Sequence, residues 1–326
     1  MHLRQGVAVA AMGVFATAAG QASAQEHWDM ALAYSATNYH SEIAADFAAE
    51  VTEASGGALE VVTHPGGSLF PGDEIYSAVR RDLVPIGERL ISALSNEDPF
   101  FGLDSVPFLA SSFADARRLY DVSRDALVDR LAEDGLHFLY SCPWPPQGFY
   151  SRVAADSPEA LQGLAFRAYN ATTSRFAELL GMQPTTIEAA ELSQAFATGV
   201  ADAMISSGAT GYDRALWEHV DYYYDVKAWL PRNMVFVNGE VWDGLSAELQ
   251  DVINTAAANA EETCWARAEE LDSWYVEQFV EHGMTVGTLN DEMQAVFEDV
   301  GATLRDEWLE TAGERGQAAI DAYLAE

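Results

Sequence analysis

The stretch LHFLYSCPWPPQGFYSRV, residues 136–153, decides the fold of this chain. Its apolar residues 136–142 predict a strand. Residues 143–146, Pro-Trp-Pro-Pro, end that strand because proline lacks the amide hydrogen that a sheet requires. Residues 149–153 then resume an extended run. A strand that prolines interrupt in the middle of a chain favours a crossing between two lobes, so we place the first lobe boundary here.

On both sides of this stretch, short strand-like runs alternate with amphipathic helical patterns, which indicates an α/β fold. A chain of roughly 300 residues commonly divides its core in two, so we expect two lobes. The longest helical pattern runs from residue 246 to about 281 and is long enough to support both lobes. We assign residues 25–145 and 233–270 to the first lobe, and residues 146–232 and 271–326 to the second.

The first 24 residues are predicted to be a signal peptide. Arg4 precedes an apolar run over residues 7–19, and Ala22-Ser23-Ala24 matches the small-x-small pattern of a signal peptidase site. We therefore expect cleavage after Ala24 and a periplasmic location. An N-terminal anchor is the alternative, but the apolar run is shorter than the about 20 residues that span a bilayer. The predicted cleavage point lacks a cysteine, so a lipoprotein is not expected.

The charge balance is strongly acidic, with 51 Asp and Glu residues against 17 Lys and Arg residues. Only one of the basic residues, Lys227, is a lysine. Such a surface repels nucleic acid and anionic lipid, so neither is an expected partner. Self-repulsion falls at molar salt, where the Debye length is about 3 Å, which favours a saline external medium. The alternative is an ordinary acidic secreted protein.

Neither a catalytic motif nor a metal-ligand spacing is present. The nucleophile elbow, the zinc-protease helix motif and the phosphate and dinucleotide loops are absent from the sequence. We therefore predict that the protein is not an enzyme and holds no cofactor or metal. Cys142 lies in a strand-like run and Cys264 lies in the middle of a helical pattern, so we expect two buried, unpaired thiols, although an oxidising compartment would permit a disulfide.

Candidate ligand contacts follow from polar residues at predicted strand ends. Arg167 ends an apolar strand, and its planar guanidinium can bind a carboxylate in two parallel hydrogen bonds. The alternative is a structural ion pair with one of the many acids. Ser206 and Ser207 follow another buried strand and offer hydroxyl groups, unless they form a plain turn. Glu88, at the end of the strand predicted for residues 84–86, could receive an ammonium or hydroxyl group, unless it is a surface charge. A set of aromatic residues could wall a pocket, although core packing is the better expectation for each alone: Trp144, Phe149, Tyr150, Tyr169, Tyr222, Tyr223, Tyr224, Trp229 and Phe236.

Five segments resemble the extracytoplasmic solute receptors of TRAP transporters, the DctP type, in their order and spacing. They are SGGALEV at 55–61, HPGG at 64–67, LDSVPFL at 103–109, LQGLAFR at 161–167 and GVADA at 199–203. The resemblance implies a two-lobe periplasmic binding protein fold with crossing strands and a long helix that spans both lobes. It also implies a small-molecule ligand between the lobes and a TRAP membrane permease as the partner. A ligand-sensing receptor that signals to another protein is the alternative function.

In that family the arginine that matches Arg167 typically clamps a substrate carboxylate. Glu88 matches a pocket position, and Asn170 follows the arginine as in many members. Gln147 stands where many members carry a second arginine, and Ser206 stands where an asparagine is common. Both departures argue against a dicarboxylate and leave an amino-bearing ligand open, held by an acid and by cation–π contact. The predicted ligand-binding set is Arg167, Glu88, Trp144, Gln147, Asn170, Ser206, Ser207, Asn233 and Phe236.

Overall fold

Two β-sheets organise residues 26–325, which are the residues that the computed structural model describes. The predicted signal peptide and its cleavage after Ala24 lie outside this range. Within the described part of the chain, none of the helices combines the length and the apolar character that crossing a membrane requires.

The strands, in chain order, are β1 (Glu26–Ala31), β2 (Leu59–His64), β3 (Ile86–Leu90), β4 (Leu136–Pro143), β5 (Gln147–Ser151), β6 (Ala165–Ala168), β7 (Gln183–Thr186), β8 (Ala203–Ser207), β9 (Tyr222–Tyr224), β10 (Arg232–Asn238) and β11 (Thr285–Gly287). The α-helices are α1 (Tyr39–Ala54), α2 (Ile75–Arg80), α3 (Phe113–Glu133), α4 (Pro158–Leu161), α5 (Ala171–Leu179), α6 (Leu192–Ala197), α7 (Gly208–Asp213), α8 (Gly239–Gly244), α9 (Ala247–Glu281) and α10 (Asp291–Ala325). Short 3₁₀ turns cover Gly72–Glu74, Ile91–Leu94, Pro99–Ser105, Ala189–Glu191 and Leu216–Glu218.

Each sheet is the centre of one lobe. The first sheet has the order β2-β1-β3-β10-β4, with β10 antiparallel to both of its neighbours. The second sheet has the order β11-β9-β5-β8-β6-β7, and β5 runs antiparallel to β8 and β9. Helices accompany both sheets, so the predicted α/β class with two lobes is confirmed.

Polar caps begin the helices that matter most for the site. Asn38 caps α1 by accepting a hydrogen bond from the His40 amide at 2.9 Å. Asn170 caps α5 through a reciprocal bond with Thr173, in which each side chain meets the other's backbone amide. Such caps satisfy amide groups that the first helical turn leaves without partners. They fix where each helix begins.

Two antiparallel segments carry the chain between the lobes. The Trp144 amide donates to the Pro231 carbonyl at 2.8 Å, and the Gln147 amide donates to the Trp229 carbonyl at 2.9 Å. The Ala228 amide returns a bond to the Gln147 carbonyl at 3.0 Å. The Pro-Trp-Pro-Pro interruption is therefore one of two crossing strands, as the sequence predicts.

The two longest helices contact both lobes. Helix α9 packs on α1 and β4 of the first lobe, while Phe279 near its end packs against Tyr150 and Tyr223 of the second. Helix α10 contributes Phe297 to the core of the second lobe, breaks at Gly313 and reaches the first lobe through Tyr323. The long lobe-spanning helix is confirmed, and the residue ranges assigned to each lobe stay a prediction.

Cys142 and Cys264 form a disulfide, so the prediction of two unpaired thiols was wrong. Their Cα atoms lie 5.2 Å apart, within the range that a disulfide requires. The pairing arises because α9 lies across β4 and brings the middle of the helix to the strand. The sequence shows that each residue belongs to a buried element but does not show which helix covers which strand.

Strand β3 begins later than the sequence predicts. The predicted strand over residues 84–86 is Ile86–Leu90 in the structure, so Glu88 lies in the middle of the strand rather than at its end. All five residues of β3 are buried, including Glu88 and Arg89. A charged pair inside a strand masks its apolar pattern, which is why the predicted boundary stops short.

Candidate functional site

A cavity of about 40 Å³ lies where the two lobes meet. The first lobe contributes Tyr34, Arg89, Leu90 and Ala93, the crossing strands contribute Trp144, Gln147 and Pro231, and the second lobe contributes Arg167, Tyr169, Glu188, Ala189, Ser206, Ser207 and Thr210. The lining combines aromatic surface with a few polar groups, which is typical of small-molecule sites. The cavity is partly open to solvent.

Arg167 is buried in this cavity without an acidic partner. Its side chain extends from β6, and its Nε donates to the Ile187 carbonyl at 2.9 Å. The guanidinium carbon lies 5.0 Å from the centre of the Tyr169 ring. Within residues 26–325, no ion pair involves Arg167. Burial lowers the pKa of Arg167 to about 10, so the side chain remains cationic near neutral pH. Its charge is therefore not balanced by a direct ion pair, and Glu188 acts on it only through space.

A second guanidinium reaches the cavity from the opposite lobe. Arg89 of β3 is buried, and its Nη2 donates to Glu188 Oε1 at 3.3 Å. Glu188 follows β7 in the second lobe, so this ion pair bridges the two lobes. Its two side chains are 8% and 35% exposed, which places the carboxylate at the edge of the cavity.

Trp144 forms one wall, and a buried network holds it in place. Its indole Nε1 donates to Asn233 Oδ1 at 2.8 Å, and Asn233 Nδ2 donates to Glu88 Oε1 at 2.9 Å. The same Glu88 oxygen lies 2.9 Å from His40 Nδ1, and the His40 ring stacks on Trp144 at 4.0 Å. Glu88 Oε2 and His40 Nε2 are buried without hydrogen-bond partners. This network fixes both the plane and the polar edge of the indole.

Gln147 and Tyr169 form a second chain of hydrogen bonds along the cavity. The Tyr169 hydroxyl donates to Gln147 Oε1 and accepts from Trp229 Nε1, both at 3.1 Å. Burial raises the pKa of Tyr169 above its usual range, so the hydroxyl keeps its proton. Gln147 Nε2 bonds the Pro145 carbonyl at 3.1 Å, which orients the amide.

Hydroxyl groups line the second-lobe side where β8 leads into α7. Ser207 caps α7 by accepting from the Thr210 amide at 3.2 Å, and its hydroxyl lies 3.2 Å from Thr210 Oγ1. Ser206 sits opposite Gly148 in the sheet and faces the same cavity. These groups can donate to or accept from a neutral polar group of a ligand.

The structure brings five of the predicted site residues together in the cavity lining: Arg167, Trp144, Gln147, Ser206 and Ser207. Glu88 and Asn233 lie behind Trp144, where they hold the indole. Asn170 caps α5 and donates to Ser92 Oγ at 3.0 Å. Phe236 lies in the first-lobe core, 5.4 Å from the Tyr76 ring, rather than at the cavity. An apolar strand that is buried on both faces gives no sign of which face meets the ligand.

The sequence did not single out Tyr34, Arg89, Glu188 or Thr210, which also line the cavity. Arg89 offered a usable signal because it is a charged residue next to an apolar strand, like Glu88. Glu188 offered none, since acids are abundant throughout the chain. Among residues 26–325, no group of three or more His, Cys, Asp or Glu residues is placed to hold a metal ion.

The family model for DctP, described as bacterial extracellular solute-binding protein, family 7, matches residues 31–311. Among curated proteins, the ectoine/5-hydroxyectoine-binding periplasmic protein UehA of Ruegeria pomeroyi is 22% identical over 98% of this chain and 95% of its own. The C4-dicarboxylate-binding periplasmic protein DctP of Rhodobacter capsulatus is 24% identical over 87% of this chain and 86% of its own. Family members are periplasmic binding proteins, not enzymes.

Solved structures agree with this assignment. A marine metagenome TRAP solute-binding protein specific for pyroglutamate, in complex with co-purified pyroglutamate, is 47% identical with a TM-score of 0.91. The match covers 93% of this chain and 99% of that one. DctP6 of Bordetella pertussis, an extracytoplasmic solute receptor that binds pyroglutamic acid, is 40% identical with a TM-score of 0.90, over 92% and 100% of the two chains. The predicted periplasmic binding protein fold is thereby confirmed, and this chain belongs to the DctP family of TRAP transporter solute-binding proteins.

Proposed function

We propose that this protein captures pyroglutamate in the periplasm and delivers it to a TRAP membrane permease. The observation that carries the proposal is the buried guanidinium of Arg167, which has no ion-pair partner and faces a partly open cavity between the lobes. The similarity to two pyroglutamate-binding receptors, at 47% and 40% identity, supports this ligand over other small carboxylates.

The chemistry of pyroglutamate fits the polar groups of the cavity. Its single carboxylate can take two parallel hydrogen bonds from the Arg167 guanidinium. Its lactam ring carries one N–H donor and one carbonyl acceptor, which the Gln147 amide and the hydroxyls of Ser206 and Ser207 can meet. The apolar ring atoms suit the face of Trp144.

A lactam nitrogen is not basic, so this ligand needs no acid to receive an ammonium group. The position of Glu88 supports this choice, because its carboxylate lies behind Trp144 and is already hydrogen-bonded to Asn233. The amino-bearing ligand that the sequence left open therefore has less support than a neutral ring with one carboxylate.

Capture requires that the lobes separate and close, a hinge motion common to periplasmic binding proteins. Polar bonds besides Arg89–Glu188 also connect the lobes, and two of them join asparagine side chains to the opposite lobe. Asn38 Nδ2 donates to Asp213 Oδ2 at 2.7 Å, and Asn170 Nδ2 donates to Ser92 Oγ at 3.0 Å. Each bond joins side chains from different lobes, so all three would break on opening. The closed surface is what we expect the permease to recognise.

The family supports transport over sensing, because its named relatives are solute receptors and the comparisons give no support to a signalling role. The predicted signal peptide, with cleavage after Ala24, fits the periplasmic location of family members. The permease is the expected partner of a TRAP solute receptor.

Titration calorimetry and thermal unfolding test the proposal. Pyroglutamate should bind the wild-type protein and raise its unfolding free energy by about 2.7 kcal/mol at a hundredfold excess over the dissociation constant. Arg167→Ala should abolish this binding, and Arg167→Lys should weaken it, because an ammonium cannot reproduce the planar fork. Circular dichroism checks that both variants remain folded. Wild-type protein that does not bind pyroglutamate would refute the assignment.

A further inference from the structure

Three charged side chains set the net charge of the cavity. Among the lining residues within the described chain, only Arg89, Arg167 and Glu188 are charged. Two guanidinium groups and one carboxylate leave one net positive charge. Glu88, Asp104 and Arg214 act on the lining from outside it. Glu88 and Arg214 carry opposite charges, and Asp104 is paired with Arg232. The charge available to a ligand is therefore that of a single cation.

Glu188 neutralises the charge of Arg89 but does not occupy all of its hydrogen-bond donors. The two nitrogen–oxygen distances are 3.3 and 3.5 Å, longer than the about 2.7–2.9 Å of a close charge-assisted hydrogen bond. Arg89 Nε is buried without a partner. The guanidinium thus keeps unused donors that a second ligand carboxylate would engage if Glu188 were not charged.

Gly72 lies beside the Arg89–Glu188 pair, and its lack of a side chain leaves space for both. A Cβ atom on Gly72 would lie 2.9 Å from Arg89 Nη1 and 3.1 Å from Glu188 Oε2. A larger residue at this position would push against both partners. The glycine therefore leaves the room in which the two side chains meet across the gap between the lobes.

We infer that Glu188 is a specificity-determining residue, which makes the cavity select monocarboxylates over dicarboxylates by neutralising Arg89. One monoanion balances the remaining charge of Arg167. A dianion would leave an unbalanced negative charge beside Glu188 in a cavity that is only partly open to solvent, which is unfavourable. The identity of the monoanion rests on the proposed function, whereas the selection by charge rests on Glu188 and Arg89 alone.

Titration calorimetry with pyroglutamate and with glutarate, a dianion with the same number of carbons, tests this inference. The wild-type protein should prefer pyroglutamate. Glu188→Gln keeps the size of the side chain and removes its charge, so the ratio of the two dissociation constants should move toward glutarate by about tenfold or more. Arg89→Gln combined with Glu188→Gln restores one positive charge and should restore the wild-type preference. Glu191→Gln, an exposed neighbour outside the lining, is the matched control and should leave the ratio unchanged.

The ratio separates charge selection from lobe closure, because loss of a bond between the lobes would weaken both ligands equally. An unchanged ratio in Glu188→Gln overturns the inference, and it leaves the proposed function standing if Arg167→Ala still abolishes pyroglutamate binding. Wild-type protein that rejects pyroglutamate but binds another monocarboxylate, such as lactate, more tightly than glutarate refutes the ligand assignment and supports the inference. Wild-type protein that binds glutarate more tightly than either monocarboxylate refutes both.

Discussion

At the residue scale, the cavity depends on side chains that never touch a ligand. Trp144 presents its ring to the cavity, yet its orientation is set by Asn233 and Glu88 behind it. A buried indole N–H that loses its acceptor costs about 1–3 kcal/mol. The network therefore links the stability of the fold to the shape of the site.

Replacing Asn233 with alanine should expose this link. We expect the free energy of unfolding to fall by about 1–3 kcal/mol and pyroglutamate to bind more weakly, because the Trp144 indole N–H loses its partner. Urea unfolding and titration calorimetry measure the two effects. Trp144→Phe removes the same donor, so the double variant should cost less than the two single changes added together. Strictly additive effects would contradict the proposed role of Asn233.

Residue-level reasoning selected a cavity-lining residue where that residue carried a distinct signal. Arg167 is one of few basic residues in an acidic chain, and it ends an apolar strand, so its position made it a candidate. The family resemblance then favoured a ligand contact over a structural ion pair. Arg89 was not identified because it follows Glu88 inside a strand whose extent the sequence understates. Phe236 was assigned to the site because an aromatic residue in a fully buried strand gives no indication of its direction.

At the element scale, the disulfide joins β4 to the middle of α9 across a sequence separation of 122 residues. Closing so long a loop restricts the unfolded chain, which on the chain-entropy account stabilises the fold by several kcal/mol. The same bond fixes the register between the longest internal helix and the edge of the first sheet.

Replacing both Cys142 and Cys264 with alanine should lower the free energy of unfolding by about 2–5 kcal/mol. Urea unfolding of the oxidised protein measures the loss. Reduction of the wild-type protein should produce a similar loss, whereas the same reductant should not affect the double variant. Equal stability of the oxidised wild type and the double variant would contradict this expectation.

Helix α9 also carries a carboxyl group that the fold disfavours in its charged form. Burial, followed by the nearby charge of Asp225, raises the pKa of Asp272 to about 6. The folded state therefore holds this proton more tightly than the unfolded chain does. The resulting stability is present at pH values below the ordinary value of 3.8 and is lost as the pH rises through about 6.

Asp272→Asn should remove the loss of folding stability that occurs as the pH rises through about 6. We expect the variant to be more stable than the wild type by about 1 kcal/mol at pH 7.5, since partial exposure screens the full effect, and to match it near pH 4. Urea unfolding at both pH values provides the comparison. Glu277→Gln, an exposed change on the same helix, should show no such pH-dependent difference. A benefit of Asp272→Asn that is the same at both pH values would rule out the titration as its cause.

Long elements with clear periodicity were predicted from sequence, while several of the shortest strands were not. The spacing of Ile43, Phe47 and Val51 predicts α1, and these three residues are buried in the structure. Strands β7, β9 and β11 have only three or four residues each, too few to show an alternating pattern. Their place in the second sheet depends on pairing partners that are distant in sequence.

At the whole-molecule scale, the formal net charge of −34 is the dominant property of the surface. Most of the basic residues are arginines that already pair with acids, such as Arg175 with Glu307 and Arg130 with Asp98. The excess of acids therefore remains unpaired, and repulsion between them opposes folding in dilute buffer.

Added salt should stabilise the protein. Raising NaCl from 0.1 to 2 M shortens the Debye length from about 10 Å to below about 3 Å, so the midpoint of thermal unfolding should rise by several degrees. KCl should act equally, because screening depends on ionic strength, and sucrose controls for effects of solute exclusion. A midpoint that does not respond to either salt would contradict the prediction of a saline habitat.

The disulfide also determines which part of α9 moves with the first lobe when the lobes separate. Its anchorage of Cys264 to β4 makes the first half of α9 a fixed extension of the first lobe. Phe279 lies roughly four turns further along the helix and packs against Tyr150 and Tyr223, so this end of the helix moves with the second lobe. Any rotation between the lobes must therefore deform the part of α9 between Cys264 and Phe279, together with the paired crossing strands.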